Sequence, residues 1–205
     1  ITLDSTIDVN CNGSCTGKIY TSTGGAASPF TYTISPATVG ACTATSIGSN
    51  TGDYQGLAAG TYTIVVTKTY GADQCKDTLS NITITEPPAL QIGIPDIDDV
   101  LCFGGNSGEI EILATGGTGT ITYTITPLGP QSNTTGEFQN LTAQCYTITA
   151  TDANGLSSTM TINVPQPTAI TINTVSQTNV NCFGGNNGTA TVAATGGVNP
   201  YTYTW

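Results

Sequence analysis

The chain has no histidine and no arginine, and its three lysines, Lys18, Lys68 and Lys76, are scattered or lie in turns. Each absence removes a class of function. Phosphate neutralisation requires Lys and Arg, so nucleic acid is not an expected partner. Catalysis needs a nucleophile beside a base, a set of metal ligands, or two carboxylates facing one cleft, and no such group is evident; no enzyme activity, cofactor or bound metal is expected. No run of about 18 apolar residues reads as a membrane-spanning helix. A basic-then-apolar leader is also lacking, and Ile1 is not an initiator Met, so the chain is expected to be a processed form or an internal piece of a longer protein. Only 8% of the 205 residues are charged, 13 acidic against 3 basic for a net charge of -10. The polar surface must therefore come mainly from Thr, Ser, Asn and Gln.

What the sequence does contain is repetition. Val100-Leu-Cys-Phe-Gly-Gly-Asn-Ser-Gly108, Thr115-Gly-Gly117 and Ile121-Thr-Tyr-Thr-Ile125 recur as Val180-Asn-Cys-Phe-Gly-Gly-Asn-Asn-Gly188, Thr195-Gly-Gly197 and Tyr201-Thr-Tyr-Thr-Trp205. A looser copy reads Val9-Asn-Cys-Asn-Gly-Ser-Cys-Thr-Gly17, Thr23-Gly-Gly25 and Phe30-Thr-Tyr-Thr-Ile34. The opening cysteines Cys11, Cys102 and Cys182 lie 91 and 80 residues apart (102 − 11 and 182 − 102), which sets the repeating unit. Two whole modules, 1–87 and 88–167, and the N-terminal part of a third, 168–205, are expected. Disorder is a poor reading despite 25 Gly and 10 Pro, because 38% of residues are apolar and β-branched residues alternate regularly.

Strand periodicity dominates, and essentially no α-helix is expected. Glu109 to Ala114 places Ile110, Ile112 and Ala114 on one face and both glutamates on the other. Ala190, Val192 and Ala194 take the inward places in the third copy. Ala89 to Cys102 reads as a first strand, followed by a glycine-rich connection. The trios Phe30, Tyr32, Ile34, then Ile121, Tyr123, Ile125, then Tyr201, Tyr203, Trp205 share a face of a later strand. Thr126 to Thr135 reads as a loop or a weak edge strand. Leu57 and Tyr62, like Leu141 and Tyr146, resemble the tyrosine corner of immunoglobulin-like sandwiches, the alternative being a half-buried strand Tyr with no special bond. Thr151-Asp-Ala-Asn-Gly155 is a hairpin turn in which Asn-Gly would supply two positive φ values, and Ser157 to Val164 returns as a strand. The class is all-β, tandem immunoglobulin-like antiparallel β-sandwich modules. Short Pro-containing joints at Glu86-Pro-Pro and Gln166-Pro would make an elongated, semi-rigid rod, each module adding ~30 to 40 Å.

Seven cysteines without a Cys-x-x-Cys pair argue for disulfides and an oxidising compartment. In the second module Cys102 and Cys145 are expected to pair, closing a 43-residue loop and contributing about 3 to 4 kcal/mol. In the first, geometry favours a bridge from Cys42 to Cys11 or Cys15. Cys75 either reaches back through its long hairpin or joins a module outside this chain, and Cys182 has its partner past Trp205.

Other candidates read as structure. Glu109 and Glu111 share a solvent-facing strand face and act as solubility devices. Asp96-Ile-Asp-Asp99 is the one acidic cluster, but the corresponding Ser5, Ile7, Asp8 and Ser176, Thr178, Asn179 do not repeat it, so a solvated loop is expected and not a calcium site. The Cys-Phe-Gly-Gly-Asn-x-Gly series joins strand to strand, leaving no helix N-terminus for a phosphate. Sequons begin at Asn12, Asn81, Asn133, Asn140 and Asn187, in a chain so rich in Thr that some arise by chance.

The series Cys182-Phe-Gly-Gly-Asn-Asn-Gly-Thr-Ala-Thr-Val192, with Leu57-Ala-Ala-Gly-Thr-Tyr-Thr63, Thr151-Asp-Ala-Asn-Gly155 and Ile84-Thr-Glu-Pro87, resembles the SprB repeat of giant surface adhesins of gliding Bacteroidetes. It departs at Leu156, where that family usually has Cys, and at the added Cys145. The resemblance implies type IX secretion, extracellular display on the cell outer surface, and use in adhesion and gliding. Implied partners are neighbouring repeat modules, the outer-membrane gliding and secretion machinery, and a surface polysaccharide or other extracellular ligand reached through the parent protein. Modification in Asp-Ser/Thr-apolar or Thr triplets would fall on Ser5 and Thr78. The expected function is a non-catalytic stalk or filament segment. The alternative is a set of glycan-binding accessory modules of a secreted polysaccharide-degrading enzyme, with Tyr54 or Tyr70 as stacking platforms.

Overall fold

The computed structural model describes residues 1–24, 29–48, 51–129 and 131–205. Gly25 of the first Thr-Gly-Gly motif and Pro130 lie outside the described residues. Among those described there is no helix. The strands are β1 (Thr2–Ile7), β2 (Gly17–Ser22), β3 (Thr31–Ser35), β4 (Thr38–Val39), β5 (Cys42–Thr43), β6 (Thr45–Ser46), β7 (Tyr54–Leu57), β8 (Gly60–Tyr70) and β9 (Asp73–Ile84). They continue as β10 (Gln91–Ile92), β11 (Asp96–Asp98), β12 (Gly108–Glu111), β13 (Ala114–Thr115), β14 (Thr122–Thr126), β15 (Gln131–Asn133) and β16 (Glu137–Leu141). The last four are β17 (Gln144–Thr151), β18 (Ser157–Val164), β19 (Thr171–Thr178) and β20 (Thr189–Thr195). The chain divides into two compact units. One is Ile1–Gln91 with Ala114–Ile121 and Thr151–Ser158; the other is Ile92–Leu113 with Thr122–Ala150 and Thr159–Trp205.

In the first unit one sheet runs β1-β2-β7-β6 and a second runs β3-β8-β9. Their inner faces share one core: Ile19, Tyr54 and Leu57 from the first, Tyr62, Ile64, Ile82 and Ile84 from the second, closed by Val9. The reason is period-two geometry. Along β8 the burial alternates, so that Tyr62, Ile64 and Val66 point inward while Thr61, Thr63 and Val65 do not. Each such aliphatic side chain, fully buried, stabilises by about 1.5 to 3 kcal/mol.

In the second unit the sheets are β11-β12-β16 and β15-β14-β17-β18. Ile110, Phe138 and Leu141 are buried on the first, and Tyr123, Ile125, Tyr146, Ile148, Ile162 and Val164 on the second. The inward placement of Ile110, Ile112 and Ala114 holds, as does that of Tyr123 and Ile125, while Ile121 is half-buried. Gln131–Asn133 is the edge strand of the two alternatives, pairing with β14. Matching bulges occur in β7 and β16: the register slips between Gly17 and Lys18 opposite β7, and between Gly108 and Ile110 opposite β16. Gly56 (φ 75°) and Asn140 (φ 59°) supply the left-handed residue, the latter tolerable because Asn adopts that region more readily than most side chains.

Three expectations are corrected. Ala89 to Cys102 is not one strand, because the chain changes partner within it, β10 pairing with β13 and β11 with β12. In the third repeat β19 and β20 form a two-stranded sheet, and residues 201–205 form no strand. Ala190 is exposed and Val192 and Ala194 only half-buried, while Tyr203 and Trp205 are 43% and 83% exposed, since among the described residues no second sheet covers them. The Asn-Gly hairpin does not use two positive φ values. Gly155 alone has one, at 87°, and the turn is closed by Asp152 N–H to Leu156 O and Gly155 N–H to Asp152 O, a three-residue loop.

Both tyrosine corners form. Tyr62 Oη donates to Ala58 O at 2.9 Å and Tyr146 Oη to Thr142 O at 3.0 Å, each ring reaching back four residues to a carbonyl at the bend. Removing the hydroxyl leaves a carbonyl without its donor. Tyr62→Phe is therefore expected to lower unfolding free energy by about 1 kcal/mol, read as a lower urea midpoint at unchanged m-value.

Candidate functional site: the cysteine turn and the hairpin seated on it

The glycine-rich motif folds the same way in all three copies. The carbonyl of the opening cysteine accepts an N–H three residues on: Ser14 to Cys11 at 3.1 Å, Gly105 to Cys102 at 2.9 Å, Gly185 to Cys182 at 3.0 Å. The N–H preceding each cysteine is capped by a side chain six residues later, Asn10 by Thr16 Oγ1, Leu101 by Ser107 Oγ and Asn181 by Asn187 Oδ1. Gly13, Gly104 and Gly184 have φ of 71°, 73° and 80°, a region glycine enters without a Cβ clash. In the first two copies the turn is also clamped to the chain end that follows the last strand. Gly13 N–H donates to Glu86 Oε2 and Gly104 N–H to Gln166 Oε1, both at 2.7 Å, and Val9 N–H and Val100 N–H donate to Thr85 O and Pro165 O. The glycines are turn chemistry, and the cysteine is carried at a fixed place in the turn, exposed in the second and third copies.

Cys15 and Cys42 form a disulfide with Cα atoms 5.4 Å apart, which resolves the first module in favour of Cys15. It closes 27 residues, worth about 3.5 kcal/mol in the chain-entropy picture. Cys11 is a free, half-buried thiol, and Cys75, Cys102, Cys145 and Cys182 are free and exposed. The expected Cys102 to Cys145 bridge is thus not formed. Tyr146 points into the core, so its neighbour Cys145 must point out, where its thiol meets Asn163 Oδ1 at 3.6 Å.

Hairpin 151–158 belongs to the first compact unit and is built on a residue that sequence reading passed over, Asp152. Asp152 is 5% exposed, and its carboxylate accepts three N–H groups, Thr118 at 2.8 Å through Oδ2, Asn154 at 3.0 Å and Leu156 at 2.8 Å through Oδ1. Desolvation pushes its pKa up, but the N–H donors of Thr118, Leu156, Asn154 and Gly155 outweigh it and hold the carboxyl below the usual aspartate value. The signal available in the sequence was Asp at the first position of the turn, a residue whose side chain bonds backbone two residues on. The hairpin and the Gly-Gly turn it organises both reach the first cysteine turn: Asn154 Nδ2 donates to Asn10 O at 2.5 Å and Thr118 Oγ1 to the same oxygen at 3.3 Å. Asp8, just before that turn, is likewise held below its ordinary pKa by the Thr85 N–H.

Asp96–Asp98 is a strand, not a solvated loop, because Ile97 pairs with the buried Ile110. That pairing sets Asp96 opposite Glu111 and Asp98 opposite Glu109, with Glu111 also opposite Glu137. Gln139 Nε2 donates to Glu109 at 3.0 Å. No Lys or Arg occurs from Asp77 onward, so this face carries unopposed negative charge, and like charges directly across a ladder are destabilising. Among the described residues no set of three His, Cys, Asp or Glu is placed to hold a metal. Ser5 on β1 and Thr78 on β9 are both exposed. Tyr54 is 6% exposed and belongs to the core, so it is no stacking platform, whereas Tyr70 is 55% exposed with Lys68 Nζ 5.5 Å from its ring centre.

A family model for the SprB repeat matches residues 94–130 and 174–205, the stretches that carry the Cys-Phe-Gly-Gly turn and the Gly-Gly turn after it. No curated protein matches the chain.

Asp8 and Asp152 bind fewer protons folded than unfolded. Their contribution is fully present above pH about 4 and is lost as pH falls through the depressed folded values. On acidification below that point, hydrogen exchange at the Thr118 and Leu156 amides should accelerate before that of core amides such as Ile148. Asp152→Asn should accelerate the same two amides at neutral pH and flatten the acid dependence.

Proposed function

With two stretches of the chain being SprB repeats, a structural and not a catalytic family that occurs in cell-surface proteins, we propose that this chain is a stalk or filament segment of a large bacterial surface adhesin. It works in gliding or attachment by holding the parent protein's binding region, for a surface polysaccharide or another extracellular ligand, away from the cell. The units in series are 1–87 and 88–167, each an immunoglobulin-like sandwich, and the start of a third from 168. Export is by the type IX route, with the outer-membrane gliding machinery as partner. The observation that carries the reading is the cysteine turn, built with the same internal hydrogen bonds three times and clamped to the chain end by Glu86 and then by Gln166. An end-piece repeated this closely serves connection between like modules. The Cys15–Cys42 disulfide fits an oxidising, extracellular setting. A glycan-binding role keeps only Tyr70 of its two stacking rings, because Tyr54 is buried in the core.

Pulling on the chain tests the mechanical reading. Residues 1–87 and 88–167 should yield as two separate events. The first should be shortened by the 27 bridged residues, about 90 to 100 Å of contour, which reductant restores. One cooperative rip of the whole chain would sink it. Ser5 and Thr78 are the proposed O-glycosylation positions, both open to solvent. Native material should exceed the bare polypeptide in mass, and an intact mass equal to the sequence mass would remove that part of the proposal.

A further inference from the structure

The hairpin of one repeat and the cysteine turn of the repeat before it meet inside the first compact unit, one residue before a free cysteine. Asn10 O is the shared acceptor for Asn154 Nδ2 and Thr118 Oγ1, and Cys11 is the next residue. On the hairpin side Leu156 is the cross-strand neighbour of Asp152, whose N–H bonds to Leu156 O. In the first repeat the residue matching Asp152 is Lys68, each standing six places after its corner tyrosine, Tyr146 and Tyr62. The cross-strand partner of Lys68 is Cys75. A cysteine thus occupies, in the first repeat's hairpin, the place that Leu156 takes in the hairpin seated beside Cys11.

We propose that the turn cysteine of one repeat and the hairpin residue at the Leu156/Cys75 position of the next are the two halves of an inter-repeat disulfide site, unfilled at Cys11 only because Leu156 carries no sulfur. This rests on 1–87 and 88–167 being successive modules. Two further observations support it. Cys11, with a hairpin beside it, is half-buried, whereas Cys102 and Cys182 are exposed. The turn also meets the following repeat again in the second unit. Leu101, Cys102 and Phe103 line one cleft with Ile170, Gly197 and Val198, and Val198 follows Gly197 as Thr118 follows Gly117. The redox chemistry needs only a disulfide oxidant. Two thiols give up two protons and two electrons to oxidised glutathione, one S–S bond forms in the protein, and two reduced glutathione molecules leave.

The test is Leu156→Cys in the full chain, treated with oxidised glutathione and cleaved after its three lysines without reduction. Cys11 lies in fragment 1–18 and the introduced thiol in fragment 77–205. The two fragments should come off covalently joined, and should separate in the wild type and in the double variant that adds Cys11→Ser. A folded Leu156→Cys protein whose new thiol stays reduced or joins another cysteine overturns the proposal. The wild type gives an independent readout. Cys11 should react with a maleimide at least about tenfold more slowly than Cys182, and Asn154→Ala should abolish the difference; equal rates in the wild type also overturn it. Neither measurement depends on force or on adhesion, so the stalk reading can fail without this site failing.

Discussion

A β-sheet with one apolar face is stable only when a second sheet covers that face, and this constraint governs the molecule. Where cover exists, the alternating side chains of β8 and β17 reach near-complete burial, with Tyr62, Ile64, Tyr146 and Ile148 at 1% exposure or less. Where it does not, the same pattern stays wet: in β20 Ala190 is exposed although its alternation matches that of Ile110 in β12. The strand signal is local, but burial is a property of two sheets together.

The corners and turns follow from the same constraint. Bringing two sheets face to face forces the chain to cross at each end, where backbone groups lose their ladder partners and must be satisfied in another way. Tyr62 and Tyr146 do this at one crossing with their hydroxyls. Thr16, Ser107 and Asn187 do it inside the cysteine turns, three different side chains that each place an acceptor over the same N–H. Glu86 and Gln166 do it where the last strand leaves, one charged and one neutral, because the bond needs an acceptor oxygen and not a charge.

Charge plays a smaller part and is unevenly placed. All three lysines lie in the first repeat, and the carboxylates of β11, β12 and β16 face one another without a cation. Solvation tolerates this on an exposed sheet face. Asp152, whose carboxylate organises the hairpin, is instead almost covered and supplied with backbone donors.

Much of the fold was legible in the amino-acid order. The alternation of Ile110, Ile112 and Ala114, the Leu-to-Tyr spacing of the corners, the Ser157–Val164 strand and the turn character of Cys-Phe-Gly-Gly all follow from local rules of period, φ and side-chain reach. The cysteine pairing did not follow. Cys145 and Cys102 are plausible partners by position in the chain, yet one residue of register turns Cys145 outward, and Cys15 reaches Cys42 only because separate strands converge there. Asp152 was equally hidden, since a turn aspartate becomes a clamp only when Thr118, 34 residues away, is folded against it. The sequence by itself determined which side of most strands is apolar and where most of the turns fall. Tertiary structure alone decided which thiols meet and which carboxylate holds a joint, because those outcomes depend on segments far apart in the chain arriving at one place.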